Sequence, residues 1–173
     1  MGTTFFAGIY GVGKSTIIEK LSVASGIPAF SAGDLISERN GEKYGANKVV
    51  SDKTRNQSIL VACISEVLKA NPRILLAGHF CIITKDGSID HLPSFVFENI
   101  ELEKIILLEA SVETIISNLS RRDSKTYSSG FIEEMLREER SAAKHSAASL
   151  CIPLVVYKMT FSDMDKEVLM REL

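Results

Sequence analysis

Short apolar runs alternate along the chain with segments whose apolar residues recur at three- and four-residue intervals, and these two periods separate strands from helices. Residues 3–7 form the first run, an expected strand that leads through glycines into a helix near Ser15, where Ile17, Ile18 and Leu21 share a face. A second short strand is expected over 28–31, then a long helix over 51–70 with Leu60, Ile64, Val67 and Leu68 on its buried stripe. Asn71 and Pro72 stop that helix, because a proline disfavours helical backbone in the residue before it. Further apolar runs at 73–77, 104–108 and 154–157 supply a third, fourth and fifth strand. Being continuous rather than alternating, they suit strands covered on both faces.

Between the fourth and fifth strands, Val112, Ile115, Ile116 and Leu119 mark one helix and residues 131–150 another. The polar stretch 121–130, with its serines, Gly130 and three cations, reads as a mobile loop joining them. A last helix is expected from Ser162, with Met164 and Val168 facing inward. Strands alternating with helices in this way predict an α/β fold, an open parallel sheet with helices on both sides.

Composition narrows the picture. A chain of 173 residues that is 45% hydrophobic can bury one substantial core, so a single domain over 1–173 is expected. A net charge of −2 gives no general nucleic-acid footprint. Cys63, Cys81 and Cys151 are odd in number and widely spaced, which suits reduced, buried thiols better than a disulfide or zinc framework. The apolar start lacks a basic leader and is broken by glycines before Lys14, and no uncharged stretch is long enough to cross a bilayer. A cytoplasmic protein with no membrane partner is the resulting expectation.

The chemistry is concentrated in Gly8-Ile9-Tyr10-Gly11-Val12-Gly13-Lys14-Ser15, followed by Thr16. This is the G-x-x-x-x-G-K-[ST] pattern, in its required place between a strand and a helix. Glycines let the backbone turn so that successive N–H groups face phosphate oxygens, and the helix start adds partial positive charge. Lys14 is placed to bridge terminal phosphates and the Ser15 hydroxyl to ligate Mg²⁺. The glycines do not fit the G-x-G-x-x-G spacing of a dinucleotide site.

Beyond this loop the order of segments resembles the nucleoside monophosphate kinase superfamily, most closely the archaeal-type adenylate kinases. The likeness runs through Gly11 to Thr16, Gly33-Asp34, the block from His79 to Leu92-Pro93-Ser94-Phe95, Leu107 to Ala110, Arg122-Asp123 and Arg140 to Ala143. It implies a five-stranded parallel sheet of order 2-3-1-4-5, ATP with Mg²⁺ on the P-loop, an acceptor segment at about 32–70 and a lid at about 121–130. It also implies catalytic roles for Lys14, Arg122 and Arg140, and acceptor contacts from Gly33, Asp34, Arg55 and His79. Association into a homo-oligomer is a further possibility that it raises. Blander roles are open for several of these: Asp34 as a helix cap, Arg122 as part of a solvated basic turn, His79 as a histidine satisfied by backbone groups. Arg39 is an alternative to Arg55, and Arg137 reads as the partner of Glu133.

Two positions depart from the family. Ala77 stands where the third strand usually ends in an aspartate, and Ile83 replaces an arginine, for which Lys85 is a candidate substitute. The sequence therefore predicts transfer of the terminal phosphoryl group of MgATP to AMP or a related monophosphate. It leaves room for a shikimate or gluconate kinase-like enzyme, with Asp34 as base, and for a non-catalytic ATP-binding regulatory module.

Overall fold

A computed structural model describes residues 2–40, 53–84, 86–123 and 127–173. Strands β1 (Gly2–Ala7), β2 (Ala29–Ser31), β3 (Arg73–Ala77), β6 (Leu102–Glu109) and β7 (Leu154–Lys158) form one sheet in the order β2-β3-β1-β6-β7. Every pairing in it is parallel. Its members keep the expected succession; β6 and β7 carry higher numbers because a short antiparallel hairpin, β4 (Cys81–Ile83) with β5 (Ile89–His91), intervenes. The three-residue strands of the hairpin and the six-residue helix α4 (Ser94–Asn99) are too short to show a clear period, and the pattern did not mark them.

β1 is buried along its whole length. Its successive phenylalanines point to opposite faces, as a strand requires: Phe5 joins the core with Ile64, Leu68 and Phe97, while Phe6 joins Leu21, Leu75 and Ile115. The first face is covered by α3 (Lys53–Ala70), α4 and α6 (Ser129–Leu150), the second by α1 (Lys14–Ser25), α5 (Val112–Asp123) and α7 (Asp163–Met170). The pairs Phe6↔Ala77 and Ala7↔Leu107 set the carboxyl ends of β3, β1 and β6 side by side. This is where an open α/β sheet places its ligands. The edge strands are exceptions to two-sided burial: β2 is only half-buried, and in β7 Val156 is 46% exposed.

Several sequence expectations need correction. In α7 the inward positions are Asp165 and Leu169, and Met164 is 65% exposed, a shift of one residue imposed by the buried carboxylate of Asp165. Cys151 is exposed because it ends α6 with φ 53°, turning the chain outward; Cys63 and Cys81 are buried thiols as expected. α5 continues through Arg121 and Arg122 to Asp123, and α6 starts at Ser129 on a Ser128 cap, so the ends of the anticipated 121–130 loop are helical or capped. Residues 124–126 of that loop, 41–52 of the acceptor segment and Lys85 lie outside the described residues. Among the described residues no helix is long and apolar enough to cross a membrane.

Candidate functional site

The P-loop wraps the start of α1. Gly8 has φ 146°, and a side-chain carbon there would lie 2.6 Å from the Leu108 carbonyl oxygen, so a close backbone approach excludes other residues. Gly13 caps α1 in left-handed conformation at φ 92°, a cost other residues would carry at the phosphate-facing turn. Lys14 is buried, its Nζ donating to the carbonyls of Gly8 at 2.6 Å and Ile9 at 3.0 Å and lying 3.4 Å from His79 Nδ1. The His79 ring packs on Tyr10 with centroids 4.2 Å apart. Burial first, then the charge of Glu139, pushes the Tyr10 phenol up to about 12.

Two buried carboxylates that sequence reasoning missed hold this end together. Glu139, 1% exposed on α6, accepts N–H bonds from Gly8 at 3.0 Å, Phe80 at 3.0 Å and Cys81 at 2.8 Å. It thereby ties the first turn of the P-loop to the segment that follows β3. Burial raises its pKa, opposed by the Phe80 amide, the Lys14 charge and the amides of Cys81 and Gly8. The readable signal is a charged residue within the apolar stripe Ile132, Met135, Ala143, Ala147. Asp165, 1% exposed, accepts from Tyr157 Oη at 2.9 Å, from the Thr160 amide and hydroxyl at 3.0 and 2.7 Å, and from the Phe161 amide at 2.7 Å. These bonds shape the turn after β7 and bring Phe161 over the P-loop, where a side-chain carbon on Gly13 would sit 3.2 Å from its ring. Burial raises the Asp165 pKa, but the Thr160, Tyr157 and Phe161 donors outweigh it and leave the net shift downward.

A cavity of about 530 Å³ runs from the P-loop, past the ends of β1 and β3, to the space between α3 and α4. Of the anticipated site residues, Gly11, Gly13, Lys14, Ser15, Thr16, Gly33, His79 and Arg122 line it. Gly8 and Val12 are buried behind the loop, Gly8 N–H being given to Glu139. Asp34, Arg55 and Arg140 are not among the lining residues. Arg140 lies on the adjoining, exposed face of α6, about 100° round the helix from Glu139, and forms a two-pronged ion pair with Glu109, Nε to Oε1 at 2.6 Å. That pairing holds the Arg140 guanidinium pKa above its ordinary value. Asp34 sits exposed in the first turn of α2 (Ala32–Asn40) and does not cap it; its own N–H is within 3.4 Å of the Ser31 hydroxyl. It shares with Ser15 a second, shallower depression. Arg39 is paired with Glu66, and Arg137 lies near Glu134 and Glu138 rather than Glu133.

Amides at a helix start, a buried ammonium and an adjoining cavity can together hold a polyphosphate and present its end to a second molecule. The family described as AAA domain matches residues 7–141. An adenylate kinase of Thermoplasma volcanium is 25% identical over 150 residues, 84% of this chain and 81% of that protein. Among solved structures, a shikimate kinase from Aquifex aeolicus superimposes with a TM-score of 0.61 at 13% identity, covering 98% of this chain and 95% of that one. A deoxyadenosine kinase from M. mycoides gives 0.58 at 15% identity, covering 98% and 97%. At these identities the structural likeness concerns the fold.

Proposed function

The chain belongs to the AAA domain family, and from that premise we propose that it is a nucleoside monophosphate kinase of adenylate kinase type. It moves the γ-phosphoryl group of MgATP to AMP or a related monophosphate. Kinase relatives and neighbours indicate a phosphotransferase of P-loop kinase construction, and the adenylate kinase of Thermoplasma volcanium supports the finer reading. The observation that carries it is a continuous cavity among the described residues, with Lys14 and the P-loop at one end and a half-open space between α2, α3 and α4 at the other. In this reading residues 1–173 form one P-loop kinase domain that acts in the cytoplasm, with its acceptor segment at about 32–70 and its lid at about 121–130.

Phosphoryl transfer needs positioning and charge neutralisation more than a strong base. Lys14 and the loop amides hold the terminal phosphates, and Arg122, at the end of α5 and lining the cavity, approaches from the lid side. Arg140 would have to leave Glu109 to reach a phosphate, which makes it the weaker of the two candidate arginines. Mg²⁺ would supply charge neutralisation of the phosphates. Its expected donors are oxygens, and the residues fit: Ser15, which lines the cavity, would hold the ion together with the phosphates, and Asp34, which shares the second depression with Ser15, would lend a carboxylate from outside the cavity, where Ala77 has none.

A hydroxyl kinase is the second reading, favoured by the shikimate kinase likeness. Asp34, its required base, does not line the main cavity, which weakens it. The test is ADP formation by folded protein with MgATP and a full panel of ribo- and deoxynucleoside monophosphates, beside shikimate and gluconate. Turnover that depends on a monophosphate is expected, and failure of every monophosphate overturns the proposal.

A further inference from the structure

Among the described residues, a buried polar atom without a hydrogen-bond partner belongs to a side chain of the cavity lining. Gln57, on α3, is 5% exposed and lines the cavity, and its Oε1 is buried without a hydrogen-bond partner among the described residues. Buried amide oxygens in folded proteins are almost always paired, so an orphan on a side chain that lines a cavity marks a place where a ligand donor belongs. Around it the walls are mainly hydrocarbon: Ile36, Leu60, Val96, Phe97 and Ile100 line the same cavity, and the buried Asn56 that lines it too accepts at Oδ1 from Asn40 Nδ2 at 3.2 Å.

That combination selects among ligand chemistries. A polyol entering this space would bring several hydroxyls into contact with apolar walls, each losing its water without replacement. A nucleobase presents two flat apolar faces and confines its hydrogen-bonding groups to its rim, and its ring suits a wall carrying Phe97. A carbonyl oxygen of glutamine accepts from ring-edge N–H groups and has no means of receiving a carbonyl or a bare ring nitrogen.

We propose that Gln57 determines acceptor specificity, its Oε1 accepting a hydrogen bond from a ring-edge N–H of the acceptor's nucleobase in the apolar slot between α3 and α4. This rests on the proposed function and adds to it a class of acceptor, a base with an accessible N–H, and the residue that reads it. Because Oε1 has no hydrogen-bond partner among the described residues, its removal weakens acceptor binding without weakening the fold.

The experiment compares wild type with Gln57→Leu and Gln57→Met, using the monophosphate that is turned over best. Beside it runs an analogue whose ring-edge N–H is deleted or methylated, purine riboside monophosphate in the case of AMP. For the variants we expect KM for the natural acceptor to rise about tenfold, the scale of one neutral hydrogen bond. We also expect kcat within about twofold and a thermal midpoint no lower than wild type. The analogue should be penalised about tenfold in wild type and not in the variants, a loss of discrimination that a merely structural glutamine would not produce. Variants that keep both the acceptor KM and the discrimination overturn the inference and leave the proposed function standing. Turnover confined to shikimate or gluconate overturns both. If Gln57→Leu does not fold, Gln57→Met decides, and collapse of both contradicts the claim that the fold does not use this oxygen.

Discussion

At the phosphate end of the cavity the buried ionic groups are saturated with bonds: Lys14 by two carbonyls, Glu139 by three amides, Asp165 by two amides and two hydroxyls. At the acceptor end the walls are aliphatic and aromatic, and the amide oxygen of Gln57 has no partner among the described residues. The first arrangement is already built for its ligand, since a loop pinned by Glu139 need not reorganise when a polyphosphate arrives. The second, in the inference drawn from Gln57, is completed by the molecule it receives. In the function proposed above, holding the phosphate donor is thus a property of the fold, and choosing the acceptor is a property of a few side chains.

The largest effect should come from cutting the pin. Glu139→Ala leaves the N–H groups of Gly8, Phe80 and Cys81 buried without an acceptor. A loss of at least about 3 kcal/mol in urea unfolding is expected, whereas Gln57→Leu under the same conditions should show none. Equal losses at both sites would erase the contrast between the two ends. Next in size is Arg122→Ala, for which steady-state kinetics should show kcat lowered by about 100-fold, as for other groups that stabilise transferring charge, with little change in stability.

Asp165→Asn should cost about 1–2 kcal/mol at neutral pH, through weakened bonds from the turn after β7. The sign with pH follows from its lowered pKa. The stabilisation is complete above the unfolded aspartate value of about 3.9 and is lost as pH falls through the lower folded value. Stability differences between wild type and variant should therefore be flat above about pH 5 and shrink below about pH 4. The smallest effect is expected from Arg140→Ala, under about 1 kcal/mol for an exposed ion pair and less than about tenfold in kcat. A kcat loss matching that of Arg122→Ala would show that Arg140 leaves Glu109 during the reaction.

The same contrast explains what could be read from the chain. The P-loop was legible because its geometry needs glycines at set intervals and a lysine at a helix start, a pattern with few other uses. The sheet was legible because buried parallel strands are continuous apolar runs, as in residues 73–77 and 104–108. Glu139 was not singled out, since a glutamate among the charges of residues 133–140 looks like a solvated helix face until its period is set against Met135 and Ala143. The hairpin β4–β5 was hidden by its shortness, and Met164 was placed inward because apolar character outweighed the pattern of bonds that seats Asp165 there. Gln57 stood out least, for nothing in a sequence reveals that a polar atom lacks a partner.

Most direct for the account is calorimetric titration of the folded protein with a non-hydrolysable MgATP analogue, wild type beside Lys14→Ala. Saturable binding by wild type, weakened at least about tenfold when the ammonium is removed, is the predicted result. Absence of binding by wild type, or equal binding by both proteins, would contradict the claim that this loop and its lysine hold the phosphate donor.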